Sequence, residues 1–351
     1  MKHTPHTRGA LLSLGLVGSA LATAPASAQL ILDDRQIYAG DAAHEDEFGW
    51  SVALDGGVIA VGAARDDEIG EDSGSAYLYN AKTGAFINKM TPDDGMPGAE
   101  FGNAIAIHGG VVAVGAWLDA ENGTNAGAVY LFDQSTGAQT HKLLPSDGSI
   151  EDRFGHSVAI DDGRVAVGML FQADRGYRSG AAYLFDANTG VQKLKLLADD
   201  GNMGDWFGSS VAMADGVVAV GARLDDDDGL QAGSAYLFDS TTGAQITKML
   251  PRDGDQGNEF GNAIALEGGV AVVGSVYADL NAELAGSVYV FSVPGQGCRA
   301  DVNNDGILDY GDLGQFVAGF LVGDLASDIN GDGIIDLGDI GGFIELFLAG
   351  C

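Results

Sequence analysis

Two acidic segments near the end of the chain share one pattern of oxygen-bearing side chains. DVNNDGILDYGD spans 301–312, and DINGDGIIDLGD spans 328–339, 27 residues later. Calcium takes about six to eight oxygen ligands, and a twelve-residue loop supplies them from positions 1, 3, 5, 7, 9 and 12, with glycine at position 6 for the turn. The pattern favours two calcium sites over a pair of solvated acidic turns. The predicted ligands are Asp301, Asn303, Asp305, Ile307 (carbonyl), Asp309 and Asp312, then Asp328, Asn330, Asp332, Ile334 (carbonyl), Asp336 and Asp339.

Helical periodicity follows each predicted loop. The apolar positions on one face are Leu313, Phe316, Val317 and Phe320 after the first loop, and Ile340, Phe343, Ile344 and Phe347 after the second. The hinge at 294–297 directly precedes the first loop, which leaves no room for an entering helix. The only two cysteines, Cys298 and Cys351, bound this segment. In an exported protein they predict a disulfide, worth about 3–4 kcal/mol by loop entropy.

Paired loop-then-helix units with Asp at position 12, bounded by Gly297-Cys298 and Gly350-Cys351, make residues 297–351 resemble the GC-type dockerin. The resemblance implies a docking tag on an exported bacterial protein. It implies a cohesin-like or cell-envelope receptor as the partner. A small acidic module of this kind is expected to fold with its calcium, because the ions neutralise its carboxylates.

The rest of the chain is an internal repeat. Phe-Gly pairs begin at Phe48, Phe101, Phe154, Phe207 and Phe260, so each step is 53 residues. A glycine series from Gly62 and a tyrosine series from Tyr77 keep the same step. A fixed period of this size indicates a repeat architecture.

Each repeat contains four segments typical of β-strands. In the first they are FGWSVALDG, VIAVGAA, GSAYLYN and AFINKMT, separated by turn residues. Short antiparallel sheets with apolar residues on both faces, repeated radially, predict an all-β five-bladed propeller with four-stranded blades. The fifth repeat lacks its last strand. We therefore expect the N-terminal stretch around Gln36-Ile37-Tyr38 to complete that blade and close the ring.

The pattern FGxSVAxxGxxxAVGA, then an acidic loop and GxAYLFDxxTG, resembles the FG-GAP repeat over about residues 30–293. The resemblance implies an extracellular ligand-binding or adhesion propeller, although seven blades are usual in that family. Family calcium loops have the spacing D-x-D-x-D-G, which no propeller loop of this chain matches, so no metal residue carries over. The predicted domains are a signal peptide (1–28), a propeller (29–293), a hinge (294–297) and a dockerin-like module (298–351).

Positions that vary between repeats are candidates for a specific site. The residue after each Phe-Gly pair is predicted to face the channel mouth, either as a ligand ring or as unconstrained surface: Trp50, Asn103, His156, Ser209 and Asn262. Asp225–Asp228 could chelate a cation or form a solvated loop tip. The aspartates of the Asp94 series each precede glycine, which turn formation explains. The tyrosine series is interpreted as packing.

Charge and the N-terminus restrict the functional class. With 17 basic against 50 acidic residues, the net charge of −33 disfavours nucleic acid and anionic membranes as partners. Lys2 and Arg8, an apolar run and Ala26-Ser27-Ala28 predict a secretory signal peptide cleaved before Gln29, or alternatively an uncleaved anchor. No transmembrane segment is expected in the mature chain.

These features predict an extracellular or cell-surface protein that is not an enzyme. The propeller would bind an unknown protein or glycan, and the calcium module would anchor it. A rival hypothesis is a dockerin-borne polysaccharide hydrolase or lyase with its site on the propeller face. A third is an architectural spacer without a soluble ligand.

Overall fold

The computed structural model describes residues 36–278, 285–294, 302, 310–322, 327, 329 and 334–349. The chain divides into two compact units, Met1–Gln36 and Ile37–Cys351, and the structure described below is that of the second. The predicted signal peptide, Cys298 and Cys351 lie outside the described residues. Within them, no helix is long and apolar enough to span a bilayer.

Five antiparallel sheets follow one another along the chain, and each is one blade. Within a blade the strands pair in sequence order, because every connection is a short hairpin or loop. Blade 1 contains β1 (Phe48–Asp55), β2 (Val58–Ala63), β3 (Ser75–Asn80) and β4 (Phe86–Met90). Blade 2 contains β5 (Phe101–His108), β6 (Val111–Ala116), β7 (Ala128–Asp133) and β8 (Gln139–Leu143). Blade 3 contains β9 (Phe154–Asp161), β10 (Arg164–Met169), β11 (Ala181–Asp186) and β12 (Gln192–Leu196). Blade 4 contains β13 (Phe207–Ala214), β14 (Val217–Ala222), β15 (Ser234–Asp239) and β16 (Gln245–Met249). Blade 5 contains β17 (Phe260–Glu267), β18 (Val270–Ser275) and β19 (Ser287–Ser292).

The Phe-Gly pair forms a β-bulge at the start of each first strand. In blade 1, Phe48 pairs with Ala63, but the next pair in register is Ser51 with Gly62. Gly49 has a φ of +97°, which glycine adopts readily. Bulges re-aim the side chains beside them, so the residue after each Phe-Gly pair leaves the regular alternation of the strand.

Each blade has a leading face, toward the preceding blade, and a trailing face, toward the next. In blade 2 the leading face carries Phe101, Ile105 and Tyr130, which pack with Ala60 and Leu78 from the trailing face of blade 1. The leading face thus carries the aromatic residues and the trailing face carries smaller aliphatic ones, and the same division recurs between the following blades. The core therefore lies between the sheets, and this explains why the strands are apolar on both faces.

The predicted closing strand is not present in the described residues. Residues 36–46 form no strand, and blade 5 has three strands in the part of the chain that the structure describes. Ile37 packs against blade 1, beside Val61 and Tyr77, where the last strand of a preceding blade would place its final residue. In the described residues the sheet of blade 5 ends at β19. The rest of the predicted closing stretch, residues 30–35, lies outside the described residues, so closure of the ring by that stretch stays a prediction.

Two helices form the C-terminal part: α1 (Tyr310–Val322) and α2 (Leu337–Ala349). They confirm the helices predicted after the two acidic segments. Phe316 and Phe343 stack with ring centroids 4.3 Å apart and planes 10° apart, and Ile329 is buried beside them. This small core joins the helices across the second acidic segment.

Candidate functional site

A continuous row of aromatic and charged side chains crosses blades 2 to 5 at the end where the Phe-Gly strands begin. We call it the arginine–aromatic ladder. It consists of Glu100, Trp117, Arg153, Phe171, Trp206, Arg223 and Glu259. Each member comes either from the residue before a Phe-Gly pair or from the first two residues after the second strand of a blade.

The first half of the ladder is held by one arginine between two rings. The guanidinium carbon of Arg153 lies 4.7 Å from the ring centroids of both Trp117 and Phe171. The indole Nε1 of Trp117 donates a 2.7 Å hydrogen bond to Glu100 Oε2. Cation–π contacts of this type stabilise by about 0.5–2 kcal/mol each, depending on exposure. The stack fixes the orientation of these side chains.

The second half continues the same alternation. Phe171 meets Trp206 edge to face, with centroids 5.3 Å apart. Arg223 lies 4.8 Å above the Trp206 ring and 3.7 Å from a carboxylate oxygen of Glu259. Acidic residues therefore flank both ends of the row, while its centre is aromatic and basic.

His156 is the predicted ring residue that joins the ladder. Its ring lies 5.4 Å from Trp117, edge to face. Burial, with the nearby charges of Arg223 and Arg153, lowers the pKa of His156 to about 4, so the imidazole is neutral at physiological pH. Its Nδ1 and the Nε atoms of Arg153 and Arg223 are buried without a hydrogen-bond partner. Buried polar atoms are normally paired, so three such atoms in one cluster indicate a place where a ligand or water binds.

The other predicted ring residues serve different purposes. Trp50 is 60% exposed and belongs to blade 1. Asn103 bonds the backbone of Gly155 and of Trp117, and the hydroxyl of Ser209 donates to the carbonyl of Gly221. Asn262 is half-buried. Asn103 also donates to the carbonyl of His156, so neighbouring members of this series lie side by side, while their side chains differ in exposure and in hydrogen-bond partner.

The residue before each Phe-Gly pair has a left-handed backbone. The φ angles are +56° at Glu47, +51° at Glu100, +58° at Arg153, +57° at Trp206 and +49° at Glu259. This conformation costs about 1–2 kcal/mol for a residue with a Cβ, and glycine would avoid that cost. Every blade nevertheless places a long or bulky side chain there, which favours a role for these side chains beyond folding.

A cleft of about 570 Å³ adjoins the middle of the ladder in blade 3. It lies between the segments 147–152 and 171–178, and Phe171 lines it. Arg178 stacks on Phe171 and on Tyr177, at 4.3 and 5.1 Å from the ring centroids. Burial raises the pKa of Asp152 on the opposite wall. The cleft thus offers basic, acidic and aromatic groups together.

A second recurring cluster, which we call the lysine network, links the acidic loops to the tyrosine series. In blade 2, Lys142 Nζ contacts Asp94 Oδ2 at 2.7 Å, Asp119 Oδ2 at 3.2 Å and Glu121 Oε2 at 2.6 Å. The hydroxyl of Tyr130 donates to Asp119 at 2.8 Å. Burial opposes ionisation of Asp94, but the hydrogen bond and charge of Lys142, with smaller contributions that include a hydrogen bond from Tyr130, together hold the pKa of Asp94 below its usual value. An ammonium group occupies the centre of these carboxylates.

The network recurs in four blades, and in blade 3 Gln172 stands where blade 2 has Asp119. Its lysines are Lys89, Lys142, Lys195 and Lys248. In the loop Asp225–Asp228, with its alternatives of cation site and solvated tip, Asp225 is buried and contacts Tyr236 and Lys248. The Asp94 series, interpreted as turn residues, also accepts hydrogen bonds from these lysines. Among the described residues, no group of three or more His, Cys, Asp or Glu side chains is arranged to hold a metal ion.

The second calcium segment is partly described. Asp339 is fully buried, and its two oxygens accept hydrogen bonds from the backbone nitrogens of Ile329 and Asp336, both at 2.8 Å. Its carboxylate therefore faces the loop it closes, which fits a calcium ligand at position 12. Ile334, whose backbone carbonyl is the predicted ligand at position 7, lies before the start of α2. The predicted ligands outside the described residues are Asp301, Asn303, Asp305, Ile307, Asp309, Asp328, Asn330 and Asp332, together with the side chain of Asp312.

Helices α1 and α2 leave an apolar groove between them. Its volume is about 310 Å³, and it is lined by Leu313, Phe316, Val317, Phe320, Leu321, Ile340, Phe343 and Ile344. Several of these side chains are exposed, including Val317 and Leu321. Exposed contiguous apolar surface of this kind typically marks an interaction site.

Solved structures with some similarity are the computationally designed proteins Ika4 and Ika8. The first shows 19% identity and a TM-score of 0.36 over 54% of this chain and 89% of the designed one. The second shows 15% identity and a TM-score of 0.40 over 69% and 70% of the two chains. No curated protein sequence matches the chain. The FG-GAP repeat model matches residues 33–79, 85–132, 138–185, 191–238 and 244–291. Each of the last four matches runs from the fourth strand of one blade through the first three strands of the next. The chain therefore belongs to the FG-GAP repeat family, and its repeats form the blades of a β-propeller.

Proposed function

We propose that this chain is an exported, non-catalytic binding protein. Its blades hold a protein or glycan ligand at the arginine–aromatic ladder. Its C-terminal module, folded around two calcium ions, docks to a cohesin-like or cell-envelope receptor. The FG-GAP fold supports a binding role in general, whereas the site must carry the specific claim.

The observation that carries the proposal is the composition of the ladder within an acidic protein. Tryptophan and arginine dominate the binding energy of interfaces, because they combine large apolar area with directional donors. Here Trp117, Arg153, Trp206 and Arg223 are stacked into fixed orientations and stay partly exposed. Three buried nitrogen atoms in the same cluster have no partner. Carboxylate, sulfate or carbonyl oxygens of a ligand would accept hydrogen bonds from the two arginine Nε atoms, and a hydroxyl or amide group of the ligand could donate to Nδ1 of the neutral His156.

Anchoring is supported by two features of the C-terminal part. The first is the pair of acidic segments with full calcium-loop spacing, of which Asp339 is seen facing its own loop. The second is the apolar groove between α1 and α2, which would be covered by a receptor. Calcium would hold each acidic loop against the helix that follows it. Because the receptor would contact those helices, its binding should depend on calcium.

The test is a capture experiment with the full-length chain on envelope extract and on a panel of soluble acidic and neutral polysaccharides. Arg153→Ala removes the guanidinium between two rings, and Arg223→Ala does so in the second half of the ladder. Arg252→Ala removes the same charge from an exposed loop and serves as the control. Far-ultraviolet circular dichroism verifies that each variant is folded, because Arg153 and Arg223 stack on Trp117 and Trp206 and their removal would itself change tryptophan fluorescence.

We expect two separable sets of partners. One should be lost in both ladder variants, be kept in Arg252→Ala and be indifferent to EDTA. The other should be lost with EDTA and be kept in the ladder variants. Equal capture by wild type and both ladder variants would remove the ladder as the ligand site. Release of sugar product from any polysaccharide would contradict the non-catalytic claim.

A further inference from the structure

The two terminal blades each expose a face that is buried everywhere else. On the leading face of blade 1, Val52 and Leu54 are 68% and 67% exposed. Their equivalents one repeat later, Ile105 and Ile107, are 8% and 7% exposed because they pack against the preceding blade. Blade 1 thus presents half of an inter-blade interface to solvent.

The trailing face of blade 5 is the other half. Val288 and Val290 are 67% and 69% exposed, whereas the equivalent Val129 and Leu131 of blade 2 are fully buried. These apolar side chains serve no purpose within blade 5 itself. Exposed apolar surface at the end of a row of stacked repeats calls for a cap or a partner.

Close backbone contacts at glycine positions also distinguish the inner interfaces from the two free ends. A Cβ on Gly221 would lie 2.0 Å from the carbonyl oxygen of Gly261 in the next blade, so that interface requires glycine. The equivalent contacts from blades 1, 2 and 3 are 2.1–2.2 Å. Gly274 in blade 5 would meet only its own Ala263, at 3.7 Å, and a Cβ on Gly49 of blade 1 would meet nothing within 4 Å. Both halves of this close contact are therefore present at the free ends but do not meet in one chain.

The N-terminal segment supplies a piece that blade 5 lacks. Ile37 packs on blade 1 as Met90, the last residue of β4, packs on blade 2. Asp41 accepts hydrogen bonds from Tyr77 at 3.1 Å and from Lys89 at 2.7 Å, and so takes the place that the linker after a fourth strand takes in the next blades. Blade 5, by contrast, stops at its third strand in the described residues. A blade docked on blade 1 would find the end of its fourth strand already in position.

We propose that the trailing face of blade 5 in one copy of this chain packs on the leading face of blade 1 in a second copy. The contact repeats the interface that the chain makes four times internally. Its occupant is a second copy because the two faces are complementary halves of one interface and stay apart within one chain. The association is head-to-tail, so it builds a closed ring of chains or an open row of them.

Two charge substitutions test this without disturbing the fold. Val52→Glu blocks the leading face and Val290→Glu blocks the trailing face, and both side chains are exposed in the single chain. Val191→Glu makes the same change at another exposed valine, in blade 3, and is the matched control. Sedimentation velocity of the full-length chain is measured over a concentration series. Low and raised salt are both used, because two chains of charge −33 repel each other.

We expect wild type and Val191→Glu to form larger species as concentration rises. Each blocked variant alone should associate about tenfold or more weakly, since a buried valine contact is lost. An equimolar mixture of Val52→Glu and Val290→Glu should form dimers and nothing larger, because one intact pair of faces remains. A monomeric wild type at every concentration and salt would overturn the proposal. Failure of the mixture to pair, or dissociation by Val191→Glu, would overturn it as well.

Discussion

Replacing Asp205 with asparagine should stabilise the propeller at neutral pH. Asp205 is the residue before Trp206, a member of the ladder, and Asp205 itself is 4% exposed. Burial, together with repulsion from Asp225, Asp227 and Asp226, raises its pKa to about 6. In the unfolded chain an aspartate titrates near ~3.9.

The sign follows from proton binding. Between about pH 4 and 6 the folded state holds the Asp205 proton more tightly than the unfolded state does, so unfolding free energy falls as pH rises. About two pKa units at about 1.4 kcal/mol each give a penalty of about 3 kcal/mol, fully present above pH ~7. The variant Asp205→Asn carries no charge and should avoid that penalty.

The amide should fit the site. One carboxylate oxygen of Asp205 accepts a hydrogen bond from the backbone of Asn202 at 2.6 Å, and an asparagine oxygen can accept the same bond. The equivalent residue of the fifth repeat is Asn258, which is also buried. The chain thus already uses asparagine at this position.

The assay is urea unfolding followed by tryptophan fluorescence at pH 4, 5, 6 and 7.5. The three tryptophans, Trp50, Trp117 and Trp206, all lie in the blades, so the signal reports the propeller. We expect the variant to gain about 2–3 kcal/mol at pH 7.5 and almost nothing at pH 4. Asp199→Asn, at an exposed position, should stay within about 0.5 kcal/mol throughout. No gain at pH 7.5, or a gain independent of pH, would refute the reasoning.

Three further predictions concern the lysine network, the close glycine contacts and calcium. Lys142→Met should destabilise the propeller by about 2–4 kcal/mol, because it leaves the buried carboxylate of Asp119 without its lysine partner. The control Lys193→Met removes a half-exposed ion pair and should cost less than about 1 kcal/mol. Equal urea midpoints for the two variants would contradict a structural role for the network. Gly221→Ala should cost about 1–3 kcal/mol because its Cβ meets the backbone of blade 5, and Gly274→Ala should leave unfolding unchanged. Removing calcium with EDTA should reduce helical circular dichroism and expose the 298–351 segment to protease, with readdition of calcium reversing both; protection that survives EDTA would argue against calcium-coupled folding.

The strands and turns that recur in every repeat could be predicted from the sequence. The 53-residue step placed the bulge glycines and the strands, and the first-repeat segments correspond to β1–β4. The lysine network was equally periodic, because Lys89, Tyr77 and Asp41 each recur at the same step. Taken separately, the aspartate series is explained by turn formation and the tyrosine series by packing. Reading them together with the lysine series would have predicted the ion cluster.

The ladder could not be found in that way. Its members occupy three positions in the repeat, and the residue type at a position changes from blade to blade: Glu100, Arg153 and Trp206 are equivalents. Only packing shows that Arg153 lies between rings from two different loops. Periodicity identifies what blades share, whereas this cluster depends on what they do not share.

Ring closure depends on a property that a count of strands does not give. Counting strands correctly indicated that the fifth blade lacks one, and Ile37 does pack where a preceding blade would place its last residue. Whether the two ends of a row of blades meet depends on the angle between neighbouring sheets, which small differences at the four interfaces set. No single residue encodes that angle. Val52 and Val290 are therefore the informative positions. They are apolar like their buried equivalents in the other blades, yet they are exposed in the single chain, and pairing between chains would bury them.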